Sequence, residues 1–328
     1  MDTALVIGGT RFIGRHTVEE FLNHGYEVTI FNRGNHENPF SDVEDVEHVE
    51  GDRDDRTALE AAALSVDPDV VIDCVAYHPE RVRVATEAFS DARYVYVSSG
   101  SAYGREEVPK REGGTPLHDC SPEQATDESP ATYGPRKAEG DRAVHEAASR
   151  GIEAMSVRPC VVYGPYDYTE RLDYWIARVL EYDRVVVPGD GQHLWHRAYV
   201  EDVASALRIV AERGDPGEAY NVGDRRLTTI EEGLDLIADV AGTDVEIVHV
   251  GERELDAVGL SAEEFTLYRD YPHVMTTAKL AALGWESTPI EEAMARTVAE
   301  HEESDRDGSE HDPGRAIEER LLGVLETL

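Results

Sequence analysis

Leu5-Val6-Ile7-Gly8-Gly9-Thr10-Arg11-Phe12-Ile13-Gly14 runs from an apolar stretch through a pair of glycines into a second apolar pattern. Residues 4–7 have the length and β-branched character of a short buried strand. Phe12, Ile13, Val18, Phe21 and Leu22 then recur at helical spacing as far as Gly25, a residue suited to ending a helix. The alternation continues outward from this stretch. Strands are predicted over 27–31, 46–50, 69–73, 94–97 and 153–157, with helices over about 55–64, 80–89 and 131–150. Continuous β-branched runs separated by helices indicate parallel strands covered on both faces.

The expected fold class is therefore α/β, a Rossmann-type doubly wound parallel sheet with a smaller C-terminal α+β substrate-binding region. Residues 1–160 are predicted to form an NAD(P)-binding domain, completed by segments near 195–223. Residues 161–300 mainly form the substrate-binding region, with short strands near 185–187, 219–222 and 245–250 and helices following Asp202, Thr229, Thr277 and Pro289. The 98–132 stretch exceeds what a plain connection needs, which marks a functional loop. Residues 301–313 read as an acidic linker before a C-terminal helix whose stripe of Ile317, Leu321, Val324, Leu325 and Leu328 is expected to dock on its own domain.

Composition narrows the class of partner. The 328 residues carry 68 Asp and Glu against 31 Lys and Arg, a formal net charge of −37, yet 41% are hydrophobic, enough for a real core. Such a surface lacks the clustered cations that a phosphate backbone requires, so no nucleic-acid partner is expected. No segment approaches the ~20 apolar residues of a membrane span, and a cytoplasmic location is expected. Cys74, Cys120 and Cys160 have no metal-ligand or CxxC spacing, and no metal is expected. Only Lys110, Lys137 and Lys279 are lysines. Acid excess with arginine in place of lysine resembles proteins of organisms living in molar salt, where the Debye length shrinks to ~3 Å.

A glycine turn between strand and helix lets backbone N–H groups approach a pyrophosphate at the positive end of the helix. Gly8, Gly9, Thr10, Arg11, Phe12, Ile13 and Gly14 are accordingly the candidate dinucleotide loop. Arg11 replaces the middle glycine of the usual spacing, which either crowds the phosphates or supplies a cation to them. An acid at the end of the second strand would accept from a ribose 2′-hydroxyl; this chain has Asn32-Arg33, which favours NADP over NAD. Asp52 and Arg53, after the third strand, are further cofactor-side candidates, and Asp52 reads equally as a helix cap.

Tyr133 and Lys137 stand four apart in a predicted helix, on one face and about 6 Å apart along its axis. A phenol must lose its proton to act as a base near neutrality, and a neighbouring ammonium stabilises the phenolate. Arginine's rigid fork and very high pKa do not fit that task. The third member is expected to be a hydroxyl at the C-terminal edge of the sheet. Ser99 is the first candidate, with Ser98 and Ser101 as rivals.

With these residues in place the chain resembles the extended and atypical short-chain dehydrogenases/reductases, the NAD(P)-dependent sugar epimerases and dehydratases. The motifs are Ser98-Ser99-x-x-x-Tyr103-Gly104, Tyr133-x-x-x-Lys137, Arg158-Pro159-x-x-Val162-Tyr163-Gly164-Pro165, Tyr199-Val200-Glu201-Asp202-Val203 and Tyr220-Asn221-Val222-Gly223. The Gly8 to Gly14 loop looks like the GGxxxxG atypical subgroup, whose relatives include epimerases, isoflavone-reductase-like proteins and chloroplast RNA-binding proteins. The resemblance implies that Tyr133 is the general base or acid, that Lys137 stabilises the phenolate and binds ribose, and that Ser99 holds the substrate oxygen. It implies a small-molecule substrate, sugar-like and in some relatives a nucleotide sugar, and a homodimer. It also raises an RNA-binding or regulatory module as the alternative. Sugar 4,6-dehydratases carry an Asp-Glu pair just after the active-site hydroxyl, where this chain has Gly100-Ser101, so dehydration is disfavoured. The helix before the fifth strand lacks the Asn that often completes a proton relay, so another relay or a water is required. Ser101, Tyr163, Trp195 and Arg197 are the candidate substrate contacts. His193, His196, Tyr166 and Tyr168 read either as pocket residues or as ordinary loop and packing residues, and Arg171 and Arg178 as partners for the many acids.

Overall fold

The computed structural model describes residues 2–269 and 271–325. In chain order the elements of the first half are β1 (Thr3–Ile7), α1 (Phe12–Asn23), β2 (Glu27–Asn32), β3 (Val46–Glu50), α2 (Arg56–Val66), β4 (Val70–Asp73), α3 (Pro79–Ala88), β5 (Arg93–Val97), α4 (Pro122–Thr126), α5 (Tyr133–Ser149) and β6 (Ala154–Pro159). The second half contains β7 (Val161–Tyr163), α6 (Asp173–Glu181), β8 (Arg184–Pro188), β9 (Leu194–Trp195), β10 (Arg197–Tyr199), α7 (Val200–Arg213), β11 (Ala219–Val222) and β12 (Thr228–Thr229). It closes with α8 (Ile230–Ala241), β13 (Glu246–Val250), α9 (Glu252–Val258), α10 (Ala278–Ala281), α11 (Ile290–Glu303) and α12 (Arg315–Leu325).

The chain divides into two compact units. The first comprises residues 1–162, 197–225 and 275–287. Its seven-stranded sheet has the order β11-β6-β5-β4-β1-β2-β3, and its strands pair in parallel. The chain runs outward from β1 to β3 and then returns to the other side of β1 as β4. That reversal places a crevice beyond the carboxyl ends of β1 and β4, where open α/β sheets take their ligands. Side chains alternate across the sheet: Leu5 and Ile7 of β1 join Phe31, Val71, Tyr94 and Tyr96 under α2, α3 and α5. Helices α1 and α7 pack together on the opposite side of the same unit. β11, from far along the chain, completes the sheet beside β6.

The second unit comprises residues 163–196, 226–274 and 288–328. It contains the parallel pair β8/β13 and the short antiparallel pair β9/β12. Helix α8 starts at a capping box in which Thr229 and Glu232 satisfy each other's backbone N–H. The acidic segment expected to be a linker is different in kind. Helix α11 extends to Glu303, and the residues after it are tied by side chains to the stretch 166–178. Helix α12 buries Leu321 and Leu322 and packs on α9 within this unit; Leu328 of the expected stripe lies outside the described residues.

Candidate active site

At the end of β1 the backbone turns through Gly8 at φ +92°, a conformation that favours glycine. A Cβ on Gly8 would strike the Val75 side chain, and one on Gly14 would collide with the carbonyl oxygen of Gly8. The first turn of α1 thereby lies against the glycine turn. Among the described residues no side chain caps the start of this twelve-residue helix. A backbone cradle that any Cβ would fill, ending in a helix N-terminus, fits a dinucleotide pyrophosphate. Thr10 is half-buried and Arg11 exposed at the same turn, and Arg11 Nη1 lies 3.5 Å from His36 Nε2.

The other cofactor-side candidates divide. Asn32 Oδ1 accepts from Gly34 N–H at 2.8 Å and from His48 Nε2 at 3.0 Å, so its amide shapes the turn after β2. Arg33 is exposed and forms no hydrogen bond or ion pair with any described residue. Asp52 is exposed and accepts from Asp54 N–H. Arg53 is bound within the fold. It is buried, both Asp73 carboxylate oxygens lie 2.7 Å from its Nη1, and its Nη2 donates to Arg81 O. Nη1 and Nη2 thus join the end of β4 to α3, and Nε is buried without a partner among the described residues; a buried carboxylate at the end of β4 requires such a partner.

Tyr133 begins α5, half-buried, and Lys137 follows one turn later, 2% exposed. Two glycines set this helix close to its neighbours. A Cβ on Gly134 would strike the Ser101 carbonyl, which seats the helix start on the short 3₁₀ turn at Gly100–Ala102. A Cβ on Gly140 would strike the Tyr96 hydroxyl, so α5 lies hard against β5. Lys137 Nζ donates to Val97 O at 2.8 Å and to Ala76 O at 3.1 Å. It lies 4.8 Å from the Tyr96 ring centroid, 5.2 Å from that of Tyr77 and 5.8 Å from that of Tyr133. Burial drives the Lys137 ammonium down to about 8, with Asp73, then Asp141 and Cys74, acting in the opposite direction.

The three serines behave differently. Ser99 Oγ accepts from Ser101 N–H at 3.1 Å, which leaves its own O–H to donate. Ser98 is buried, and its Oγ has no hydrogen-bond partner among the described residues. Ser101 contributes its backbone to the turn and is half-buried. Arg197, in the first unit, is 2% exposed at the start of β10. Tyr163 and Trp195 belong to the second unit; both are buried, and the Trp195 ring lies 5.8 Å from that of Trp175.

Several residues outside the expected set adjoin this cluster. Asp73 also accepts from Tyr94 OH at 2.8 Å and from Val75 N–H at 3.1 Å. Asp141, one turn after Lys137, accepts from Arg158 Nε at 2.8 Å. Arg158 Nη1 lies 3.1 Å from Tyr103 OH, which donates to Asn221 Oδ1 at 2.8 Å. Arg158, Tyr103 and Asn221 come from three separate sequence motifs that the fold joins into one buried chain. The signal for Asp141 was its i+4 spacing from Lys137.

A family model described as the NAD dependent epimerase/dehydratase family matches residues 4–223. Among curated proteins, the low-salt glycan biosynthesis protein Agl12 of Haloferax volcanii is 26% identical over 86% of this chain and 92% of its own length. A dTDP-glucose 4,6-dehydratase of Streptomyces niveus is 29% identical over 76% of this chain and 81% of its own. A chloroplast stem-loop binding protein of 41 kDa of Arabidopsis thaliana is 27% identical over 77% and 67% respectively. In fold, the chain is similar to a dTDP-glucose 4,6-dehydratase of Bacillus anthracis solved with NAD (TM-score 0.74, 21% identity, 95% of this chain and 100% of that one). A UDP-glucose 4-epimerase of Thermotoga maritima solved with UDP-glucose gives a TM-score of 0.72 at 22% identity, over 92% of this chain and 99% of that one.

Proposed function

Because the chain belongs to the NAD dependent epimerase/dehydratase family, enzymes of the extended short-chain dehydrogenase/reductase type, we propose that it oxidises or reduces a sugar-like hydroxyl or ketone through Ser99, Tyr133 and Lys137. The observation that carries this reading is the buried Lys137 ammonium, held by two carbonyls at the carboxyl edge of the sheet one turn from Tyr133. Tyr133 exchanges a proton with the substrate oxygen, Lys137 lowers the cost of the phenolate, and the Ser99 O–H donates to the same oxygen. The loop from Gly8 to Gly14 would hold the pyrophosphate, and the nicotinamide dinucleotide, when bound, supplies the hydride chemistry.

Two refinements belong to the proposal. NADP(H) is favoured, supported by Asn32 at the end of β2 and by the uncommitted guanidinium of Arg33. Epimerisation or simple oxidoreduction is favoured over dehydration, supported by Gly100-Ser101 in the turn after Ser99, which holds no carboxylate to eliminate water. The nucleotide-sugar enzymes among the relatives support a sugar nucleotide as the substrate class, whereas the net charge of −37 argues against stem-loop RNA.

Tyr133→Phe tests the assignment. Turnover in a screen of sugar nucleotides should fall by about 10²-fold to 10⁴-fold, while binding of NADPH, and more weakly NADH, persists by fluorescence titration. Full activity in the variant would sink the assignment.

A further inference from the structure

Lys137 lies in the first unit with two buried ion pairs, one at the end of β4 and one joining α5 to β6. Arg53 and Asp73 form one ion pair, and Asp141 and Arg158 form another at 2.8 Å. All five are at least nine-tenths buried. Each carboxylate is attached to the same small structure as the ammonium. Asp73 ends β4, and the Ala76 carbonyl three residues later accepts from Lys137. Asp141 stands one turn along α5 on the buried face.

We propose that Asp73 and Asp141 are positioning residues for the catalytic pair, two buried carboxylates, each anchored by its own arginine, that keep Lys137 charged beside Tyr133. The inference rests on reading Lys137 as the catalytic lysine.

The charges themselves argue for this role. Among these five groups three cations and two carboxylates leave one positive charge in excess, and the buried Arg136, which donates to Tyr77 O at 3.0 Å, adds another, an excess that favours the phenolate of Tyr133. A single carboxylate joined directly to Lys137 would neutralise the ammonium and weaken its hold on the phenolate. Carboxylates paired instead with Arg53 and Arg158 raise the ammonium's proton affinity while leaving its N–H groups for Val97 O, Ala76 O and the site. The other groups facing Lys137 do not replace them. Tyr94 and Tyr96 on β5 are pushed well above the usual phenol range by burial and so stay neutral. Burial pushes the Cys74 thiol up to about 12, and its effect on Lys137 ranks after those of both carboxylates, while Arg53 acts in the lowering direction. Tyr77 and Tyr133 present ring faces.

The presence of only three lysines makes the test direct. In the full chain labelled at lysine, the Nζ and Cε resonances are followed by NMR against pH, with Lys110→Arg and Lys279→Arg used for assignment. Lys137 is expected to titrate near 8. In Asp141→Asn, whose amide oxygen still accepts from Arg158, the midpoint should fall by roughly one pH unit, and Asp141→Glu should restore most of it. Asp73→Asn should act in the same direction, and the alkaline limb of turnover should move with the midpoint in each variant. An Asp141→Asn protein in which Lys137 titrates as in the wild type would overturn the proposal, as would a wild-type Lys137 that is neutral below about pH 6. If Asp73→Asn does not fold, Asp141→Asn and the wild-type titration decide the matter. The titration needs no turnover, so it is separable from the catalytic reading, which fails instead if Lys137→Ala retains full activity.

Discussion

Each of the two units buries charge, and they do so in opposite ways. In the second unit Arg178 bonds Glu318 at 3.1 Å and also binds Asp312, Tyr174 donates to Glu318 at 2.8 Å, and Arg315 bonds the same carboxylate. Asp173 is shared between His301 and Arg306. These groups answer one another directly, and together they strap residues 304–318 onto the stretch 166–178. In the first unit the Lys137 ammonium donates to two carbonyls and lies over tyrosine rings, while Asp73 and Asp141 are bonded to arginines. Closed networks hold a fold together, whereas an ammonium left without a contact anion costs stability and is available for chemistry.

The largest effect is expected of Arg178→Met. It leaves Glu318, 1% exposed, with less than its share of positive charge, and losing one member of a buried pair costs about 3–5 kcal/mol. Chemical denaturation should show that loss. NAD(P)H affinity and the Lys137 titration should stay as in the wild type, since the strap and the lysine belong to separate networks. A shift in the Lys137 titration would show instead that the two networks act as one.

Lys137→Met sharpens the other side of the comparison. The folded pKa near 8 lies below the ordinary 10.5 of the unfolded chain. The unfolded state therefore binds more protons between these values, and stability attributable to this group rises with pH across that window. Below pH 8 the cost of burying the ammonium is present in full, roughly 3 kcal/mol. Unfolding measured at pH 7 and pH 10 should show the wild type gaining about that amount on the variant as pH rises. Equal pH dependence in the two proteins would mean that Lys137 is not buried as a charge.

Much of the first unit was legible because its rules are local. Glycines with no room for a Cβ, β-branched runs and a Tyr/Lys pair at helical spacing all state their purpose within a few residues. The return of β11 to the sheet edge was legible only coarsely, and Asp73 not at all, since its partner Arg53 lies twenty residues earlier and its effect is exerted on a lysine in another helix. Arg53 follows β3, where the sequence suggests a cofactor-side residue, and nothing within those few residues announces that its guanidinium pairs with Asp73. The strap is illegible in the sequence for a related reason. An acidic, glycine-containing run reads as a solvated linker unless the arginines that bind it are known, and Arg178 lies more than a hundred residues away. Gly308, at φ +67° and placed where a Cβ would strike the Tyr174 backbone, is the point where that run becomes structure.

The smallest expected effect concerns Asp167, in the stretch that the strap covers. Its Oδ1 accepts from Thr169 N–H at 2.9 Å and Thr169 Oγ1 at 2.6 Å, while Oδ2 is buried without a partner among the described residues. Burial raises its pKa above the ordinary carboxylate value, against the lowering effect of the Thr169 bonds. Folding therefore gains from protonation here. The contribution is fully present below the unfolded pKa and is lost as pH rises through the raised folded value, so at neutral pH the carboxylate is a cost. Asp167→Asn keeps the Oδ1 acceptor and removes the charge, and should raise stability at pH 7 by about 1 kcal/mol, with the gain shrinking as pH falls through the raised value. The flanking residues Tyr166 and Glu170 sit at φ +64° and +54°, a strain that a plain connecting turn does not need. If the variant gains stability while KM for substrate rises, the carboxylate is retained for binding; if KM is unchanged, Asp167 serves only the turn, and the strap's hold on this stretch is purely structural.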